Sequence, residues 1–337
     1  LRADMDALPV TERNNLPYKS IDTTTYNKQQ VGVMHACGHD SHMAILLGTA
    51  EVLTKAKSQV PGTIVFIFQP AEEGPPEGEV GGAKQMVMEG VLNEPKVEAI
   101  FGLHIQADIP SGTIKYRPGG TMAAVNTLKI IITGQQAHGA YPWLSIDPIV
   151  TSAQIINSLQ TIVSRNVNIT KNPAVVTIGA INGGVRSNII PERVEMLATL
   201  RTFSNSDEAM VLQRINTIVQ NTAEAQGAKS EIISIENNHY PVTFNDSALA
   251  EKMLPALQAA TTSKVLLRDP MTGAEDFSFY QQKVPGLFFF LGGLPKGNDP
   301  AKAPAHHTPD FIIDDSDLDV GVKAFCNLVF LFAVQKK

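Results

Sequence analysis

Residues 62–70 read GTIVFIFQP, a continuous apolar run closed by a glutamine and a proline. A strand with one face in water alternates apolar and polar side chains, whereas a strand buried on both faces does not. The same unbroken texture returns in EAIFGLH at 98–104 and GLFFFLGG at 286–293. These runs are expected to be strands of a mainly parallel sheet. Helical patterns lie beside them at 40–57, 82–90, 247–260, 275–283 and 316–335. Strands interleaved with helices predict an α/β layer structure.

The middle of the chain has another texture. VNTLKIIITG at 125–134 partly alternates and puts Leu128, Ile130 and Ile132 on one face. A helix is expected over 147–165, strands near 174–182 and 192–202, a helix over 206–226 and a strand near 229–236. That order, β-α-β-β-α-β, is the ferredoxin-like arrangement and can form a compact inserted unit. The expected domains are 1–117 with 238–337, and 118–237 between them. Gly119-Gly120 and Asn237-Asn238 are the expected hinges.

Bulk properties narrow the function. The 337 residues are 43% hydrophobic, enough for two ordinary domains. A net charge of −6 and the absence of any Lys/Arg run argue against a nucleic-acid partner. AFCNLVFLFAV at 324–334 is too short and too polar at Asn327 to span a bilayer, so no membrane partner is expected. Cys37 and Cys326 do not make a disulfide framework, which fits the cytoplasm. The chain opens at Leu1 inside a strand pattern, which leaves a preceding signal peptide and a periplasmic address open.

Chemistry-bearing residues gather at the edges of the apolar runs. HACGHDSH holds Cys37 and His39 just before a helix; QPAEEG puts Glu72 and Glu73 directly after a buried strand. His104 is expected to close the strand over 98–103, and His306 and His307 follow the strand over 286–291. In open α/β sheets ligands bind beyond the carboxyl ends of the strands, so these groups can converge. Thiolate, imidazole and carboxylate together suit Zn²⁺ and other borderline divalent ions. A Cys nucleophile with a His base is the competing reading, but it leaves Glu73, His104 and His307 without a role. Phosphate loops, G-x-G-x-x-G and G-x-S-x-G elbows are all missing from the sequence.

The ordered set RADMDALP, HACGHDSH, QPAEEG…GGAKQM, GLHI, GQQAHGAYP…DPI, SNIIPE, GAEDF and HHTPDF runs along essentially the whole chain. It resembles the M20 metallopeptidase family, within it the amidohydrolase branch. The resemblance implies a zinc-peptidase-like catalytic domain interrupted by a ferredoxin-like lid through which the protein forms a homodimer. It implies a two-metal site, with Zn²⁺ or Mn²⁺ first and Co²⁺ or Ni²⁺ as alternatives, held by Cys37, His39, Glu73, His104 and His307. His307 is preferred to His306 because it directly precedes Thr308-Pro309. Glu72 is implied as general base, His138 as a lid histidine reaching the partner subunit's site, and Asn188 and Arg201 as holders of the substrate carboxylate.

The implied reaction is hydrolysis of an N-acyl amino acid to a carboxylic acid and a free amino acid. A dipeptidase or carboxypeptidase on the same scaffold is the alternative, and a catalytically silent relative is a third reading that an intact Glu72 argues against. Two departures from the family pattern stand out. Asp4-Met5-Asp6 replaces His-x-Asp, so Asp6 is expected to orient a ligand without touching metal, and the loop over 74–82 is long. His35 and His42 are expected to pack around the ligands, His239 to be structural and Cys326 to be a buried hydrophobe.

Overall fold

A computed structural model describes residues 1–76, 78–235 and 239–334. The chain divides into two compact units: Leu1–Thr121 with Phe244–Asp269 and Asp276–Lys337, and Met122–Thr243 with Pro270–Glu275. The divisions therefore fall a few residues beyond those expected from the sequence. The short segment Pro270–Glu275 also joins the second unit, because the backbone N–H of Ala123 donates to Met271 and Gly273 carbonyls. The expected hinge Asn237-Asn238 lies outside the described residues, as does residue 77 of the long loop.

The first unit carries a six-stranded sheet in the order Val265–Leu267, Ile114–Tyr116, Gly286–Leu294, Ile100–Pro110, Arg2–Asp4, Ile67–Gln69. Every neighbouring pair is parallel except Ile114–Tyr116 against Gly286–Leu294. The apolar run over 62–70 is a strand at Ile67–Gln69, the residues that pair with Arg2–Asp4. The run over 98–104 errs the other way. It continues to Pro110, since Gly286–Leu294 pairs with it along that length, and His104 sits inside the strand rather than at its end.

Parity decides which side of this sheet can do chemistry. Ala3, Leu103, Ile105, Leu287, Phe289 and Leu291 join one core cluster with residues of the helices His39–Lys55, Ser247–Ala260 and Leu318–Val334. Successive strand residues point to opposite faces, so Arg2, Asp4, His104 and Gln106 lie on the other side. Burying each Phe or Leu of the cluster contributes about 1.5–3 kcal/mol, and truncating Phe289 to alanine would cost about 3–5 kcal/mol.

The helices start where local chemistry caps them. Asp246 accepts from the Leu249 N–H ahead of Ser247–Ala260. His39–Lys55 begins after Gly38, whose φ of 87° is the left-handed region that glycine tolerates. A Cβ there would stand 2.3 Å from Ile105 Cγ2, so the close approach also demands glycine. The helix expected over 275–283 shrinks to Ser278–Gln281. No described helix is long and apolar enough to cross a membrane.

In the second unit the elements run Ala124–Thr133, Pro148–Arg165, Val175–Gly183, Arg193–Thr202, Asn205–Ala225 and Lys229–Ser234. These are strand, helix, strand, strand, helix, strand. The sheet is antiparallel, with the first strand placed between the third and fourth. Leu128, Ile130 and Ile132 share the core with Ile155, Leu159 and Ile162 of one helix and Val211 and Ile215 of the other. Asp147 and Ser204 cap these helices through their side-chain oxygens.

Candidate metal centre

The first unit gathers Cys37, His39, Glu72, Glu73, His104 and His307. The N–H of Gly38 donates to the His35 carbonyl, and this turn delivers Cys37 and then His39 at the start of the helix. Cys37 Sγ lies 3.4 Å from His104 Nε2 and 3.3 Å from His307 Nε2. His307 Nε2 is 2.8 Å from Glu73 Oε1. His307 holds a left-handed φ of 63°, fixed by its own N–H donating to the Ala36 carbonyl. Such strain in a non-glycine residue persists only where the surroundings impose it.

Donor atoms of Cys37, His39 and His104 lie within 4.8 Å of one another, as do those of Cys37, Glu73 and His307, and those of His39, Glu72 and Glu73. Three overlapping sets, with Cys37, His39 and Glu73 each in two, could hold adjacent cations. His39 donates from Nδ1 to the Asp6 carbonyl at 3.0 Å, while its buried Nε2 has no hydrogen-bond partner. A buried imidazole nitrogen left bare amid a thiol and carboxylates fits a divalent ion of borderline softness.

His306 and His42 fall outside this donor set for a geometric reason. His306 Nε2 accepts from the Ala107 N–H, leaving Nδ1 3.6 Å from Cys37 Sγ. His42 is occupied at both ends: Nδ1 lies 2.5 Å from Asp4 Oδ1 and Nε2 accepts from the Ile105 N–H. It packs against the ring of His104, with centroids 4.7 Å apart. His35 sits between carboxylates of Glu12 and Asp40 at 3.4 and 3.3 Å.

The electrostatics argue against a free thiolate. Burial, then Glu73 and Glu72, push the Cys37 thiol up, whereas a nucleophilic cysteine needs its thiol pulled down. Burial also holds His104 well below the ordinary imidazole range. Neutral His104 donates from Nδ1 to the Ile105 carbonyl and keeps a lone pair on Nε2 toward Cys37. For His39 burial opposes the charge, but Asp4, Asp6 and Glu73 outweigh it and push the ring up to about 9.

The remaining expected residues belong to the second unit. Ala137–His138 pairs with Ile189–Ile190, and exposed His138 accepts at Nδ1 from the Ala140 N–H. The proton of the neutral ring therefore sits on Nε2. Asn188 lies beside it, its carbonyl accepting from the Gly139 N–H at 2.8 Å. Arg201 stands on another strand, Arg193–Thr202, and donates to the Thr272 carbonyl, Thr199 Oγ1 and the Leu200 carbonyl.

A family model described as peptidase family M20/M25/M40 matches residues 1–330. The chain belongs to this family. It is thus a metal-dependent hydrolase with the α/β, mainly parallel architecture of M20 proteins. Thermostable carboxypeptidase 2 of Saccharolobus solfataricus is 38% identical over 333 residues, 99% of this chain and 80% of the relative. N-acetylcysteine deacetylase of Bacillus subtilis is 37% identical over 332 residues, 98% of this chain and 80% of the relative. Among solved structures, the Bacillus subtilis YXEP protein is described as a dinuclear metal binding peptidase of the M20 family. It aligns with a TM-score of 0.80 and 34% identity, covering 99% of this chain and 80% of that one.

Against the M20 pattern, Asp4 is the residue that the sequence reading left without a role. It is fully buried, receives Arg2 Nη1 at 2.7 Å and reaches His42. Asp6 accepts the Glu73 N–H at 3.0 Å and its carbonyl receives His39. Arg2, Gln69 and Asp276, also buried, bond to one another beside these residues, a network that the sequence did not reveal. A charge inside the strand pattern LRADM was the available signal, because a buried Arg must be paired.

Proposed function

We propose that this chain hydrolyses the amide bond of N-acyl amino acids, with an N-acetyl or aromatic acyl group, using two divalent ions per subunit. The observation that carries the reading is the convergence of Cys37, His39, Glu73, His104 and His307 in overlapping donor groups, with Glu72 beside His39 and Glu73. The five would be the metal ligands. Such ions, when bound, polarise a carbonyl and lower the pKa of water to ~7. Zn²⁺ or Mn²⁺ suits the mixed S, N and O donors, with Co²⁺ and Ni²⁺ next.

Glu72 is the general base in this reading. It is buried beside the donor set, takes the proton of the attacking water and passes it to the leaving amine. His138 of the partner subunit donates from Nε2–H to the oxyanion, a contact worth about 3 kcal/mol. Asn188 and Arg201 hold the substrate carboxylate, Arg201 through a planar fork. The second unit is then a ferredoxin-like lid, an arrangement its strand order supports, and in this reading it pairs two chains.

A second reading, cleavage of dipeptides or C-terminal residues, has the thermostable carboxypeptidase as its support. The two separate on one panel. N-acetyl and N-benzoyl amino acids should be cleaved faster than dipeptides. Exhaustive chelation should abolish cleavage and Mn²⁺, Zn²⁺ or Co²⁺ should restore it. Preference for dipeptides would favour the second reading. Full activity after chelation, lost on thiol alkylation, would sink the metal reading altogether.

A further inference from the structure

We infer that Asp276 is a positioning residue for Glu72, held in place by Arg2 and Gln69. The inference rests on Glu72 being the general base. Asp276 donates its backbone N–H to Glu72 Oε1 at 3.4 Å. Its carboxylate belongs to a fully buried network and has an oxygen within 4.8 Å of a Glu72 carboxylate oxygen. Oδ1 receives Arg2 Nη2 at 2.9 Å and Gln69 Nε2 at 2.8 Å. Oδ2 receives Gln69 Nε2 at 2.7 Å and the Ala83 N–H at 2.7 Å.

Each anchor is itself fixed. Arg2 donates Nε to Gln69 Oε1 and Nη1 to Asp4, so its guanidinium has one possible pose. Tyr280 donates its hydroxyl to Gln69 Oε1 at 3.0 Å. Gly82 takes a φ of 71°, and a Cβ there would lie 2.6 Å from Asp276 Oδ2, so only glycine lets the backbone come this near. The backbone at 276 cannot shift without breaking four bonds to one carboxylate, and the low dielectric makes each broken bond costly.

The same residues tie the chemistry to the sheet. Gln69 ends the strand that leads into Glu72, and Arg2 sits on the neighbouring strand. One buried guanidinium thus joins the carboxylate beside Glu72 to Asp4, which orients His42 behind His104. A side chain with three rotatable bonds, such as Glu72, gains a preferred direction from the N–H it meets. Misplacing a reacting group by an ångström costs up to about a hundredfold in rate.

The test is a double-mutant cycle on metal-loaded enzyme with an N-acetyl amino acid as substrate. Asp276→Asn should lower kcat about 10- to 100-fold, leave KM within about twofold and leave metal content unchanged. Placed on Glu72→Gln, the same change should cost less than about twofold, because the group it positions no longer takes a proton. Near-normal kcat in Asp276→Asn, an equal loss in both backgrounds, or a rate loss matched by lost metal would each overturn the inference. A Glu72→Gln enzyme with normal kcat would overturn the base assignment as well, so the two failures are distinguishable. Should Asp276→Asn not fold, Gln69→Met removes two of the four bonds without stranding a charge, and the same criteria apply.

Discussion

The two units bury different things. In the first, one sheet face packs apolar side chains while the other carries Arg2, Asp4 and His104, with Gln69, Glu72 and Asp276 beside them. In the second, the core shared by sheet and helices is aliphatic, and the expected functional residues His138 and Asn188 are exposed. A charge buried in a sheet must be partnered or bound, so the first unit advertises its chemistry through burial. Exposed residues carry no such obligation, and the second unit conceals its role.

The sharpest way to break this contrast is to substitute the two adjacent glutamates. Glu72→Gln should keep its metal and lose about 10²–10⁴-fold in kcat, because the amide keeps the shape but accepts no proton. Glu73→Gln should lose metal, its rate falling as occupancy falls. Metal analysis beside kcat decides, and a metal-replete Glu72→Gln enzyme of near-normal kcat would refute the base assignment.

The second unit answers to a different variant. His138→Ala should lose about 10²–10³-fold in kcat with the melting temperature unchanged, since an exposed side chain holds little structure. Mixing inactive His138→Ala with inactive Glu72→Gln should restore part of the activity once subunits exchange. Exchange without recovery would place His138 outside the partner's site.

The smallest effect concerns Glu208 in the second unit. Burial raises its carboxyl, but hydrogen bonds from His239 and Asn126 outweigh this and hold it below the usual range. A carboxyl depressed on folding adds stability above its unfolded pKa of about 4.3, and loses it as pH falls through the folded value. Glu208→Gln should therefore lower stability at pH 7 by about 0.5–1 kcal/mol, with the difference fading by pH 3. An equal difference at both pH values would show that packing, not charge, is responsible.

Legibility followed the same division. Cys37, His39, Glu72, Glu73, His104 and His307 were readable because each interrupts or closes an apolar run in an ordered set of motifs. Arg2, Gln69 and Asp276 were not readable as a unit, since Arg2 and Asp276 stand 274 positions apart and a lone charge reads as surface. Strand lengths failed for one reason: the apolar run over 62–70 states what is buried, while pairing decides what is strand. The inserted unit was legible from the alternation of Leu128, Ile130 and Ile132 and from the order of its strands and helices.

The pairing of Ile100–Pro110 with Gly286–Leu294 also sets a clock. The second strand begins 176 residues after the first ends, with the whole second unit lying between them in sequence. At synthesis rates of roughly 5–20 residues per second, the first strand waits ~10–35 s for its neighbour. Cys37, His39, Glu72, Glu73 and His104 emerge before that wait, and His307 only after it. During the interval the nascent chain holds an apolar strand edge open and a half-made set of donor groups. Holding factors and loosely bound ions in the cell would meet this partly built form before the finished enzyme exists.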